Sequence, residues 1–406
     1  MQDISLEQAI SVLLEHTKKI EAVEEVPLLE ALGRILAEDA VATFDNPPFD
    51  RSPLDGYTFA ASGTKGAQKE APASFRIIGE ECAGDFFAQE VPEGAAVRLM
   101  TGAAIPKGCD CVVRQEDVTV QDECILVPYE LHHHENYCFA GEDVRKGTLA
   151  VKRGTELTAA HLGVLASLGL GTVKVRRRPR IAIASTGDEL VLPGDELVLP
   201  GEPLRPGKIY NSNLYVLAGR LQELGFEPEV LGILPDDAAK AASFIAGWRE
   251  KVDLFLTTGG VSVGKKDIMH EVVRRIGTRL FWRVCIKPGA PVIAYTAGDM
   301  LGIALSGNPF ASYATFELLT RPVLAALAGR SDVAYRAAEG FLADAFPKPS
   351  YGRRFIRAHY ADGIFSIPAQ HDSGSLFSAA GCNALIDIPA GTEPLVAGTR
   401  VKGVLL

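Results

Sequence analysis

The sequence predicts an α/β multidomain chain: a doubly wound, mostly parallel α/β domain, a β-rich insertion, a linking α+β region and a barrel-like C-terminal β domain. Three patterns carry that expectation. From residue 181 to about 328, short apolar runs alternate with amphipathic ones, as right-handed βαβ units require. From 72 to 130 the runs SFRIIGE, AAVRLMTG, CVVRQEDVTV and CILVPYE are strand-like and separated by Gly, Pro and acidic turns. After Gly329 the strand pattern returns without helices in RRFIRAHY, GIFSIPA, NALIDIPA and RVKGVLL, which fits a small barrel or sandwich.

In chain order, Ser5 and Gln8 form a capping box ahead of a first helix whose face carries Ile4, Ile10, Leu13 and Leu14. Residues 24–41 read as a second helix through Leu28, Leu29, Leu32 and Ile35. Pro47, Pro48 and Pro53 then exclude regular helix. The rigid loop carrying Asp45, Asp50, Arg51, Ser52 and Asp55 is either functional or a solvated linker. Thr101 and Gly102 stand in a turn directly after a strand. Thr158 starts a helix over LTAAHLGVLASLG, and Gly169 stops it. RRRPR at 176–180 reads as a solvated hinge at a domain boundary or as an anion site. Within the alternating region the expected strands are 181–185, 229–234, 252–257, 279–286, 292–295 and 301–305. The expected helices are 213–224, 237–251, one after Asp267, and a long one from Pro309.

The chain has 406 residues, enough for roughly two to four domains. A net charge of −10 argues against nucleic acid as the main partner but leaves room for a small anionic ligand. No apolar run approaches the ~18 residues of a membrane span, and MQDISLEQ carries neither basic nor apolar leader features. Together with seven irregularly spaced cysteines, this implies a reducing, cytoplasmic setting. Cys109, Cys111 and Cys138 with His132, His133 and His134 read either as a metal site or as thiols beside solvated loop histidines.

The segment 252–267, VDLFLTTGGVSVGKKD, joins a buried strand to a helix start through a glycine-rich turn. Backbone N–H groups and a helix N-terminus there form an anion cradle, or else the glycines make only a tight turn. The dinucleotide fingerprint and the P-loop are both missing. In a doubly wound sheet ligands bind beyond the carboxyl ends of the strands. Five loops converge on that edge: Thr186, Asp188 and Glu189; Asp236; Gly259, Gly260, Ser262, Gly264 and Asp267; Lys287 with Pro288 and Gly289; and Ser306, Gly307, Asn308 and Pro309. Amides with Arg283 and Lys287 favour oxyanions, whereas Glu189, Asp236 and Asp267 call for a hard cation, most often Mg²⁺. No Ser-His-Asp arrangement can be assembled. The edge suits metal-assisted transfer or cleavage at a phosphate ester or anhydride. DELVLPG occurs in tandem at 188–194 and 195–201, and the first copy, directly after the strand, is the expected functional one.

PPFDRSPLDGYTF, LMTGAAIPKGCD, AGEDVRKG, STGDEL, TTGGVSVGKKD, IKPG and SGNP, in this order, closely resemble the molybdopterin molybdenumtransferases. These are MoeA-type molybdenum insertases, related to the C-terminal domain of gephyrin. The resemblance covers essentially the whole chain. It implies four domains: a molybdopterin-binding α/β domain (1–23 and 176–327), a linking and dimerisation domain (24–41 and 143–175), a β-rich insertion (42–142) and a C-terminal β domain (328–406). It implies a homodimer that inserts molybdenum from molybdate into adenylylated molybdopterin, with Mg²⁺-dependent release of AMP. A transient contact with the molybdopterin adenylyltransferase is also implied.

By motif, Asp55 looks like a catalytic acid reaching the partner subunit's cleft, and Thr101 and Asp143 are similar to further contributions from the β-rich side. Glu189, Asp236 and Asp267 resemble the acidic set around metal and adenylate. Arg283 and Lys287 match the basic pair, and Arg357 and Ser373 match positions facing the molybdate site. Arg283 stands where the family has Lys, Ala290 where KPGKP has its second lysine, SGNP where PGNP is common, and HDSGS where QGSG is common. Two other functions remain open to these residues: a molybdopterin adenylyltransferase, which would consume ATP, and a non-catalytic molybdopterin-binding scaffold.

Overall fold

The computed structural model describes residues 1–194, 204–262, 264 and 267–406; the second DELVLPG copy and Lys265 and Lys266 lie outside the described residues. The chain divides into two compact units, Met1–Glu24 with Arg176–Leu406, and Glu25–Val175.

In the first unit a seven-stranded sheet runs in the order Gln2–Ile4, Thr278–Val284, Ile293–Ala297, Met300–Leu305, Leu254–Thr258, Ile181–Thr186, Pro228–Leu234. Every neighbouring pair is parallel except those made by Ile293–Ala297. The three strands Ile181–Thr186, Leu254–Thr258 and Met300–Leu305 are buried along their whole length, because helices cover both faces. Successive side chains alternate between those faces. Ile181, Ile183, Leu254, Leu256 and Ile303 join a core with the helices Leu6–Glu15, Ser212–Glu223, Pro309–Thr315 and Arg321–Ala328. Ala182, Ala184, Phe255 and Ala304 join the other core, with Ala238–Ala246 and Met269–Ile276. The sheet is doubly wound, as the alternation predicts.

Local signals set the helix starts. Ser5 and Gln8 close the expected capping box. Asn211 caps Leu214 N–H, and Asp237 caps Ala239 and Lys240 N–H. The helix after Asp237 ends at Ala246, short of the expected 251. The long helix from Pro309 holds one π turn, Phe316–Thr320, before Pro322, whose missing N–H would leave the Leu318 carbonyl without its donor in an ordinary α turn.

Within that turn Glu317 is fully buried between two arginines: Arg220 Nε donates at 2.5 Å and Arg321 Nη1 at 3.0 Å. Arg321 also donates to the carbonyls of Val333 (2.6 Å) and Leu405 (3.1 Å), which ties the helix to the C-terminal strands. Those strands, Arg336–Leu342, Arg354–Ala361, Ile364–Ser366, Ala384–Ile388 and Arg400–Leu405, close into a five-stranded barrel, so the sandwich alternative falls away. The first of them carried no expectation from sequence.

The second unit is built on a six-stranded sheet: Cys111–Arg114, Gly56–Phe59, Ala95–Leu99, Ala73–Glu81, Cys124–Val127, Thr119–Gln121. The helix Ala159–Ser167 begins after Thr158, and Gly169 follows at φ 78°, as expected. The helix expected over 24–41 is absent. Val23–Pro27 is a strand paired with Thr172–Arg176, Leu28–Ala31 is a single 3₁₀ turn, and Ala40–Val41 pairs with Leu149–Val151. Leu29 is 86% exposed and Leu32 53%, so the leucines form no buried stripe. The partner strands lie more than 100 residues away in sequence, and that long-range pairing overrides the local helical spacing.

Removing the Glu317 carboxylate leaves the buried Arg321 guanidinium without its anion and Arg220 with only Glu223. Glu317→Ala is expected to destabilise the first unit by about 3–5 kcal/mol in urea unfolding; a loss below about 1 kcal/mol would show that the network is not under that constraint.

Candidate functional site

The parallel strands of the first unit end together. Ser185 pairs with Thr258, and Thr258 with Leu305, so the loops that follow emerge side by side. They line a cleft of about 740 Å³. Its walls are Thr186, Gly187, Glu189 and Leu190; Asp236; residues 258–262 and Asp267; residues 287–291; and residues 306–309. Ser373, from the barrel side, closes it.

Backbone proximity dictates the glycines. Gly259 has φ 96°, and a Cβ there would lie 2.5 Å from the Thr186 carbonyl. Gly289 has φ 88°, and its Cβ would meet the Thr315 methyl at 2.3 Å. The floor is a hydrogen-bonded set. Asn213 Nδ2 donates to Thr258 Oγ1 (2.9 Å) and to Gly307 O (2.8 Å), and Thr258 Oγ1 donates to Ser306 O (2.9 Å).

The acids are anchored individually. Asp236 accepts from Asp188 N–H at 3.0 Å, and Asp267 accepts from Gly264 N–H. Lys287 is the only Lys or Arg among the described lining residues, opposite Glu189, Asp236 and Asp267. A bare phosphate would therefore meet more negative than positive charge. Among the described residues no three His, Cys, Asp or Glu side chains close into a metal cage, at this cleft or around Cys109 and His133.

The barrel contributes main chain to the cleft wall. Lys287 N–H donates to Arg353 O (2.9 Å) and Phe355 N–H to Lys287 O (2.7 Å), so the 287–291 loop pairs with a barrel strand. Phe310 N–H donates to Ser373 O at 3.1 Å.

Of the expected residues, Thr186, Glu189, Asp236, Gly259, Gly260, Ser262, Asp267, Lys287, Ser306, Asn308 and Ser373 come together here. Gly264, Arg283 and Arg357 do not line the cleft. Arg283 pairs with Asp3 at 3.0 Å and stands over the Trp282 ring. Arg357 is fully buried, 3.5 Å above the Phe310 ring, and donates to Asp372 O (2.6 Å), Ser378 Oγ (2.8 Å) and Ser375 O. It fixes the loop that carries Ser373, and burial lowers its pKa from the ordinary value. Sequence reasoning overlooked Ile209, Tyr210 and Asn213 as lining residues; the signal was the NSN run at a helix start.

Asp55, Thr101 and Asp143 belong to the second unit. Thr101 donates both its N–H and its hydroxyl to Asp55 Oδ1, each at 2.7 Å, and Asn46 Nδ2 donates to Asp143 at 3.1 Å. The RRRPR run is ion-paired: Arg176 with Glu21, Arg177 with Asp253 and Arg178 with Glu227.

Three family models match the chain: the MoeA N-terminal region (domain I and II) over residues 4–169, the "Probable molybdopterin binding domain" over 182–326, and the MoeA C-terminal region (domain IV) over 339–406. A molybdopterin molybdenumtransferase of Bacillus subtilis (strain 168) is 36% identical over 400 residues, covering 96% of this chain and 91% of that one. One from Staphylococcus epidermidis (strain ATCC 12228) is 33% identical, covering 99% and 95%. Among solved structures, a molybdopterin biosynthesis MoeA protein from Pyrococcus horikoshii OT3 superposes with a TM-score of 0.80 at 32% identity, covering all of both chains.

The main-chain N–H of Thr101, then its hydroxyl, hold the Asp55 carboxyl below its ordinary value of 3.8. Because the folded-state value is depressed, this contact stabilises the fold above the ordinary value and is lost as pH falls through the lowered one. Carboxyl-carbon NMR should place the Asp55 midpoint below 3.8. In Thr101→Val, which keeps only the main-chain donor, the midpoint should move part of the way back; an unmoved midpoint would exclude the hydroxyl as a cause.

Proposed function

The chain belongs to the MoeA family of molybdopterin molybdenumtransferases, and from that premise we propose that it inserts molybdenum from molybdate into adenylylated molybdopterin and releases AMP with Mg²⁺. It is a transferase of molybdenum cofactor biosynthesis. The observation that carries the finer reading is the meeting of the glycine-rich turn, Lys287 and three carboxylates in one cleft at the carboxyl edge of the sheet.

The donor set fits a hard cation. Glu189, Asp236 and Asp267 offer oxygen only, and two of them already accept a main-chain N–H. Mg²⁺ is usually held by one or two carboxylates, with substrate phosphate and water completing the shell, so an open acidic set suits it better than a closed cage. When bound, such an ion neutralises phosphoryl oxygens. The chain's own groups do the rest. Amides of the glycine turn receive the phosphate oxygens, and Lys287 compensates charge that develops as the anhydride opens to AMP. Ser306, Asn308 and Ser373 supply neutral donors for the ligand, Ser373 from the loop that Arg357 fixes.

Asp55, Thr101 and Asp143 enter this reading through family resemblance, as contributions from the second copy of a homodimer; Arg283 enters it as the family's basic position, and Gly264 as part of the glycine-rich turn. A cytoplasmic setting and a transient encounter with the adenylyltransferase complete the proposal. Among the described residues no helix is long and apolar enough to cross a membrane.

The test is AMP release from protein loaded with adenylylated molybdopterin, with and without molybdate at fixed Mg²⁺. Release is expected to require molybdate, and Glu189→Ala is expected to keep the adenylate while releasing AMP about 10²-fold more slowly. Equal release with and without molybdate would overturn the insertase reading, and consumption of ATP with free molybdopterin would replace it with an adenylyltransferase.

A further inference from the structure

Two consecutive carbonyls of the glycine-rich turn are held from behind. Trp282 Nε1–H donates to Val261 O at 3.1 Å, and His270 Nε2 lies 3.1 Å from Ser262 O. A carbonyl only accepts, so that histidine nitrogen carries the proton. The two rings meet edge to face, with centroids 4.8 Å apart and planes at 84°. They come from different elements. Trp282 stands in the strand Thr278–Val284, in register with Gln2 on one side and Ile293 on the other, and His270 stands in the helix Met269–Ile276.

Val261 and Ser262 line the cleft; Trp282 and His270 do not. Both carbonyls are thus turned toward groups outside it. A trans peptide points its N–H opposite to its carbonyl, so the peptide joining Val261 to Ser262 presents the Ser262 N–H on the side away from Trp282.

We propose that Trp282 and His270 are positioning residues for the anion cradle, holding the Val261 and Ser262 carbonyls out of the cleft so that the Ser262 N–H meets a nucleotide phosphate. This rests on the reading of the cleft as a site for an adenylate group. Without the indole donor the Val261 peptide is free to turn, and a carbonyl oxygen facing the cleft repels the phosphate that an N–H would bind. The device also explains why a cleft with a single described basic side chain can receive a phosphate: the favourable dipoles are set by the backbone, and the two rings fix their sign.

The chain has two tryptophans, and the other, Trp248, packs at the edge of the core beyond the helix Ala238–Ala246. In Trp248→Phe protein, where Trp282 is the only indole, AMP titration is expected to change the emission saturably. Trp282→Phe keeps an aromatic ring against His270 but loses the donor. It is expected to weaken AMP binding about tenfold by calorimetry, the effect of one hydrogen bond, with the thermal midpoint nearly unchanged. His270→Gln, which retains an N–H donor, should bind AMP close to wild type, whereas His270→Ala should not. AMP binding by Trp282→Phe equal to wild type would overturn this inference alone. Failure of the wild-type protein to bind AMP would defeat the adenylate reading, and this inference with it.

Discussion

The register of three buried strands determines where chemistry can stand in the first unit. Ile181–Thr186, Leu254–Thr258 and Met300–Leu305 are parallel and buried throughout, and they end at one level. Parallel strands direct their carboxyl ends to the same edge, so each following loop starts beside its neighbours. Polar side chains gather at their carboxyl ends: Thr186, Thr258 and Ser306 are all buried and hydrogen-bonded across the edge, or packed against the glycines there. A shift of one residue in any of these strands would turn core side chains into the wrong layer, so the geometry of the edge is coupled to the stability of both cores.

Upon that edge the site is polarised by main chain more than by side-chain charge. Three carboxylates stand against one lysine among the described lining residues of this cleft. Open carboxylates of this kind would suit a divalent cation, and the amides with Lys287 would suit anionic oxygens.

The parts of this arrangement legible in the sequence are those encoded locally. Apolar runs of strand length, each followed by Gly, Ser, Thr or Asp, mark the edge, and ten of the expected residues in the α/β region line one cleft, with Ser373 added from the barrel side. What was not legible depends on contacts between distant segments. Residues 24–41 have helical spacing, but Val23–Pro27 finds its partner at Thr172–Arg176, and Gly33 at φ 69° breaks any continuous helix. Arg283 sits next to the cleft loops in sequence, yet its backbone, at φ 69°, aims it at Asp3 on the neighbouring strand. Arg357 carries the expected charge but is interior, where its donors answer loop carbonyls. Charge alone identifies a candidate ligand; only burial and partners say whether it reaches the ligand or holds something that does.

That distinction explains why the barrel belongs to the site although its strands make a core of their own. Its contribution is mostly backbone: a ladder contact with the Lys287 loop and a carbonyl that accepts the Phe310 N–H at the start of the Pro309 helix. A main-chain N–H at a helix start has no intrahelical partner and must find one elsewhere, so the carbonyl of Ser373 meets a need that the fold itself creates. The Ser373 loop is in turn fixed by Arg357, whose guanidinium lies on the ring of Phe310, the residue that makes that hydrogen bond. Helix, loop and arginine close a small circuit in which each group satisfies a polar or apolar requirement of the next. A cleft wall built this way sets the Ser373 loop through a main-chain hydrogen bond and a guanidinium stacked on an aromatic ring, so the position of its hydroxyl is fixed by the fold itself.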